Sequence, residues 1–300
     1  MEFTDHDGQE PLLVVEDLTT VFALPDGGVR TAVDGVGFTV RRGEIRGVVG
    51  ESGSGKSVTA MSLLRLVDEP GRIVGGDVRF DGTDVLTLDR SGLQRLRGSG
   101  IGVIFQEPGS ALNPVLTVGD QVTESLRVHR DMSRREAHRD AVAWLDRVGL
   151  REPEALMSRY PHELSGGMLQ RVMIAMALCA GPKLLIADEP STALDVTTQA
   201  QILDLLLDLR DELGLAILFI THDLGVVARI ADTVTVMYGG RVMEQTDVLT
   251  LFDNPSHPYT RALLATSPVI GRTVRRLPTI PEDVRRFAAG DDGRTREDVA

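Results

Sequence analysis

At 300 residues, with 42% hydrophobic and 25% charged positions, the chain is large enough to bury a substantial core. Its net charge of -12 argues against a nucleic-acid partner, whose phosphates favour a basic face. No stretch approaches the roughly 18 to 20 apolar residues of a membrane span, and a lone cysteine, Cys179, excludes an internal disulfide or a cysteine-built metal cluster within one chain.

The opening, Met1 to Glu10, is acidic and polar and lacks the basic and apolar regions of a secretion signal, so a reducing cytoplasm is expected. Leu12 to Phe22 and Gly35 to Val40 read as strands around the turn-like Pro25-Asp26-Gly27-Gly28. Ile45 to Val49 is a short apolar strand. A helix is predicted from Lys56, with Ala60, Leu63, Leu64 and Val67 on one face. Asp81 to Gly100 reads as polar connection, and Ile101 to Phe105 as another strand. From Gln106 to about Ala180 the pattern turns helical, with a capping box at Ser133 and Glu136. Strands return at Leu184 to Ala187 and Leu215 to Ile220, separated by a helix from about Thr197 to Leu213. Thr233 to Met237 and Val242 to Gln245 flank Tyr238-Gly239-Gly240-Arg241, which reads as a hairpin. This alternation predicts an α/β fold with a mostly parallel central sheet, some antiparallel strands and a helical insert. After about Gly271 the sequence is charged and loses its period, as a weakly ordered tail does.

Gly50-Glu51-Ser52-Gly53-Ser54-Gly55-Lys56-Ser57 matches the Walker A pattern and lies between a predicted strand and helix, the context it needs. Its glycines let successive N–H groups turn toward phosphate oxygens, and the helix that follows adds its positive end. Lys56 is expected to neutralise the β- and γ-phosphates, with the Ser57 hydroxyl on Mg²⁺. The chain holds only one other lysine, Lys183, so a chance match is improbable. Leu184 to Glu189 is an apolar strand ending in two carboxylates, the Walker B pattern. Asp188 is expected in the Mg²⁺ shell and Glu189 as general base for the attacking water; on their own, two acids there would equally suit a helix cap. His222, at another strand end, is placed to donate to the γ-phosphate, although a lone turn histidine is more often merely solvated. Gln106 follows a strand and is a candidate for Mg²⁺ or the water.

Leu164-Ser165-Gly166-Gly167 opens an apolar helix from Met168 to Leu178 and forms a second anion site. With the patterns above, it resembles the signature motif of ABC transporter ATP-binding subunits. The resemblance runs from about Leu12 to Pro268. It implies a P-loop NTPase (RecA-like) core with an antiparallel β subdomain, spanning 11–270, and a helical subdomain at about 107–180. It also implies that Ser165, Gly166 and Gly167 contact ATP held in the Walker A loop of a second ABC ATPase subunit. By the same match Ser191-Thr192-Ala193-Leu194-Asp195 is similar to the D-loop, so Asp195 lies at the dimer boundary. Gln106 fits the Q-loop and His222 the H-loop. Phe22 aligns with the aromatic residue that stacks on adenine, or is simply core.

Phe105-Gln106-Glu107-Pro108, Leu112-Asn113-Pro114, Tyr160 to Met168 and Asn254 to Thr260 are similar to the oligopeptide, dipeptide and nickel importer branch. That branch implies ATP hydrolysis driving uptake, most often of peptides, at the cytoplasmic face of the membrane. Its partners are permease subunits, an upstream solute-binding protein and commonly a second, different ATPase. Leu169 stands where members usually carry arginine. The tail from Leu277 to Ala300 lacks the cysteines that often hold an iron–sulfur cluster, so none is expected. The alternative is a soluble ABC-type ATPase acting on DNA or ribosomes. Such proteins usually add coiled coils, zinc-binding cysteines or a second ATPase domain, none of which this sequence shows. A module that binds ATP without turnover is disfavoured by the presence of both Glu189 and His222.

Overall fold

The computed structural model describes residues 10–192, 194–266 and 279–289. It divides into two compact units, the first of Met1–Leu13, Val40–Glu44 and Phe80–Phe219, the second of Val14–Thr39, Ile45–Arg79 and Ile220–Ala300.

β1 (Leu13–Ala23) and β2 (Val29–Val40) are sheet neighbours joined by a tight turn, in which Leu24 N–H donates to Gly28 O at 2.8 Å. β2 begins well before the predicted Gly35; Val29, Arg30 and Thr31 are exposed, so no apolar alternation marks its start. β3 (Ile45–Val49) is buried at every position and leads through the glycine loop into α1 (Lys56–Leu63). Ala60, Leu63 and Leu64 are fully buried, as the predicted face requires. Val67 falls outside that face: Leu64 caps the helix and Arg65 turns into the left-handed region, φ 51°. β4 (Gly71–Phe80), a strand the sequence did not suggest, joins the sheet in the order β2-β1-β4. Of its side chains only Val78 and Phe80 are buried, so the period-2 signal is confined to Asp77–Phe80.

In the first unit, β5 (Thr83–Asp84) and α2 (Arg90–Arg95) interrupt the segment read as plain connection. Asp89 starts α2 by accepting from Gly92 N–H at 2.7 Å. β6 (Ile101–Ile104) stops one residue short of the predicted end. Then follow α3 (Pro108–Ala111), α4 (Val118–His129), α5 (Arg134–Arg147), α6 (Pro153–Leu156) and α7 (Gly166–Leu178). Thr117 and Ser133 open α4 and α5 with capping boxes, the second on the predicted Ser133–Glu136 pair. α4, α5 and α7 pack on one another, and Val122, Leu126, Ala141, Leu145, Val172 and Ile174 are fully buried.

β7 (Leu184–Asp188) runs parallel to β6, with Ile101 opposite Leu184 and Ile104 opposite Ala187. All five of its residues are buried, as a parallel strand covered on both faces demands. α8 (Val196–Leu213) and β8 (Ala216–Thr221) follow. The second unit continues with α9 (Leu224–Ile230), β9 (Thr233–Tyr238) and β10 (Arg241–Asp247). β9 is parallel to β3 and antiparallel to β10. Gly239 and Gly240, at φ 56° and 85°, make the predicted two-residue hairpin turn, whose twist requires positive φ at both positions. α10 (Val248–Asp253), α11 (Pro258–Thr266) and α12 (Glu282–Ala289) end the described chain. α12 occupies part of the segment read as a weakly ordered tail; residues 271–278 and 290–300 lie outside the described residues. Among the described residues no helix is long and apolar enough to cross a membrane.

Candidate functional site

The loop between β3 and α1 is shaped by what glycine lacks. A Cβ on Gly50 would sit 2.1 Å from the Met237 carbonyl oxygen, and one on Gly55 would sit 2.5 Å from that of Ala32. Gly55 also holds φ 98°, a left-handed conformation that side chains resist. The β9–β10 turn secures the loop through a bond from Gly240 N–H to Ser54 O at 3.0 Å. Lys56 is 5% exposed, and its Nζ donates to the carbonyls of Gly50 and Glu51, each at 2.9 Å, and to Ser54 Oγ at 3.3 Å. Its ammonium is therefore held inside the loop that it is expected to serve. Ser52, Gly53 and Ser57 are exposed. α1 begins at Gly55, which has no side chain to cap it, unlike α4, α5, α7, α8, α9 and α10.

In the first unit, β7 delivers Asp188, 5% exposed, and then Glu189, half-buried. Glu189 takes φ 45°, a conformation costly for a non-glycine residue and typical of functional turns. Gln106 Nε2 donates to Glu189 Oε2 at 3.0 Å, and Thr192 Oγ1 donates to the same oxygen at 2.9 Å. Two residues predicted as separate candidates thus meet, across 83 positions of sequence. Thr192 is an orienting group that the sequence reading did not single out; a hydroxyl three residues beyond an acid, in a turn, was the available signal.

Ser165 caps α7, accepting from Met168 N–H at 3.4 Å, so Gly166 and Gly167 lie inside the helix and not ahead of it. Ser165 and Gly166 are exposed. A Cβ on Gly167 would meet Thr198 Cγ2 at 2.9 Å, whereas one on Gly166 would find only Leu194 Cδ2, at an ordinary 3.8 Å. Asp195 caps α8, accepting from Thr197 N–H and Thr198 N–H at 3.0 Å and from Thr198 Oγ1 at 2.7 Å. The Thr198 hydroxyl, followed by these backbone donors, lowers its carboxyl from the ordinary range. In the second unit, His222 is exposed just past β8, and Phe22 is half-buried with its ring edge over Gly71.

A parallel sheet with a glycine loop running into a helix, and an apolar strand ending in Asp-Glu, defines a P-loop nucleoside triphosphatase. The family model described as ABC transporter matches residues 33–192, and the one described as oligopeptide/dipeptide transporter, C-terminal region, matches residues 243–294. A Brucella melitensis protein named for ATP binding in peptide import is 51% identical over 274 residues, covering 91% of this chain and 82% of its own length. A Sinorhizobium fredii protein named for the same role in a peptide ABC transporter is 52% identical, covering 90% and 81%. Among solved structures, a dimeric ATP-binding cassette in a post-hydrolysis state with ADP and Pi aligns with TM-score 0.70 at 29% identity, over 79% of this chain and 98% of that one. A Clostridium perfringens protein, part of an ABC transporter complex, aligns with TM-score 0.69 at 30% identity, over 82% and 92%. This chain belongs to the ABC transporter ATP-binding family. It is an α/β ATPase that binds and hydrolyses ATP.

Proposed function

We propose that this chain is one of two ATPase subunits that close on each other around ATP and drive peptide uptake through membrane permease subunits. The observation that carries the reading is Gly166: it is exposed at a helix N-terminus, and its own fold does not require a glycine there. An open backbone at that point suits an anion supplied from outside the subunit. Ser165, Gly166 and Gly167 then cover ATP held by the second subunit, and Asp195 lies at the boundary. The dimeric cassette and the peptide-import names of the relatives support this assembly.

Within each subunit, the main chain of Gly50 to Gly55 cradles the phosphates, Lys56 neutralises them, and Phe22 stacks on adenine. The Ser57 hydroxyl, the Gln106 amide oxygen and the Asp188 carboxylate are each oxygen donors, the ligand type that suits Mg²⁺, a hard cation. Bound there, Mg²⁺ would offset phosphate charge. Gln106 turns its amide nitrogen to Glu189, which leaves its oxygen as the group offered to the ion or the water. Glu189, oriented by Gln106 and Thr192, takes a proton from the attacking water, and His222 donates to the γ-phosphate. Rate enhancement comes from positioning and electrostatics.

The helical segment 107–180 and the region near Gln106 dock on the permease; Phe105 and Val115, 39% and 75% exposed, offer apolar surface there. In this reading the subunit works at the cytoplasmic face, beside a related but different ATPase, with a solute-binding protein delivering the peptide. In the test, Glu189→Gln lowers phosphate release by about 10²-fold or more while MgATP binding persists; unchanged turnover sinks the general-base role. Purification from the native membrane brings integral permease subunits along, and their absence counts against the transport reading.

A further inference from the structure

The segment Asn254 to Thr260 takes no part in the chemistry above, yet it ends beside the Walker A loop. Glu244, 7% exposed, accepts from Ser256 N–H and Oγ at 2.7 Å and from His257 N–H at 3.0 Å, which fixes the entry to α11. His257 Nδ1 accepts from Tyr259 N–H at 3.1 Å. Tyr259, fully buried, rests on Tyr238 with ring centroids 4.6 Å apart, next to the glycine turn that secures Ser54. Burial pushes the Tyr259 phenol well above its ordinary range, and the neighbouring charge of Glu51 pushes the same way. The second contact to Glu51 comes from α12, where Arg285 Nη2 meets Glu51 Oε1 at 2.8 Å. Ala288 of the same helix is buried, and the Phe287 ring lies 5.9 Å from His257.

We propose that Arg285 is a positioning residue for nucleotide binding: it neutralises Glu51 within the Walker A loop, and α11 and α12 exist in part to hold it there. The physical need is plain. Glu51 is a carboxylate inside a loop whose ligand is a polyanion, and left uncompensated it repels that ligand. The pair is partly exposed, which limits the effect to a modest factor. The proposal rests on the reading of residues 50–57 as the ATP site and adds that the C-terminal region sets the charge of that site.

Titration of the full chain with a fluorescent ATP analogue tests it. Arg285→Ala is expected to raise Kd by about fivefold at low salt, with the change shrinking as salt increases. Arg285→Lys stays near the wild type. Adding Glu51→Gln to Arg285→Ala restores affinity to within about twofold of wild type, because the repelling charge is gone. A role confined to holding α12 in place would leave that double variant as weak as Arg285→Ala. An unchanged Kd in Arg285→Ala, or a defect that Glu51→Gln does not relieve, overturns the proposal. Failure of the wild-type chain to bind the analogue would instead sink the assignment of residues 50–57.

Discussion

Two helix-opening glycine turns, Gly50–Ser57 and Ser165–Gly167, differ most at Gly55 and Gly166. At Gly50–Ser57 the glycines are demanded from within: carbonyls of Met237 and Ala32 occupy the space a Cβ would need, and Lys56 is buried against the loop's own oxygens. At Ser165–Gly167 the cap is exposed, and Gly166 has room for a side chain. The first turn has its shape set by its own fold. The fold alone does not account for a glycine at position 166, and under the proposed function its occupant is ATP held by the second subunit. Helix-opening turns of similar composition can therefore be told apart by asking what a methyl group would strike.

That contrast can be broken by experiment. The largest effect is expected from Gly166→Val, which should abolish ATP-driven dimer closure and reduce turnover to background. Binding of ATP to the isolated chain should stay within about twofold of wild type, since the Walker A loop is untouched. Loss of binding in the monomer would mean that the turn is merely structural. Gly55→Ala should behave in the opposite way, destabilising the folded chain by about 1–3 kcal/mol through backbone strain and overpacking. Thermal unfolding and nucleotide titration should both register it, and a variant as stable as wild type would contradict the crowding at Ala32. The smallest effect belongs to Ser165→Ala. It removes a side-chain cap whose bond to Met168 N–H is long, 3.4 Å, so stability should fall by no more than about 1 kcal/mol. A larger fall in denaturant unfolding would show that the cap matters more to the fold than its geometry allows.

Local features were legible in advance where local physics produces them. The Ser133–Glu136 capping box, the Tyr238–Arg241 hairpin and the buried run from Leu184 appear as read, because each depends on neighbours a few residues away. β4 and α2 were not legible. β4 buries only Val78 and Phe80, so its alternation spans just four residues, and α2 is a short polar helix started by Asp89. The end of α1 was misjudged for a related reason: an apolar residue at the right spacing, Val67, does not oblige the chain to stay helical past Arg65.

By itself the sequence determined the family, the Walker A pattern and the acidic strand end, since these are short patterns whose chemistry needs particular residues at fixed spacing. Only the tertiary structure decided which of them meet. It joined Gln106 and Thr192 to one oxygen of Glu189, set Arg285 on Glu51 across 234 residues, and left Gly166 open while crowding Gly50. The reason is that spacing along the chain governs backbone geometry over a few residues, whereas contacts between distant residues exist only once the sheets and helices have packed.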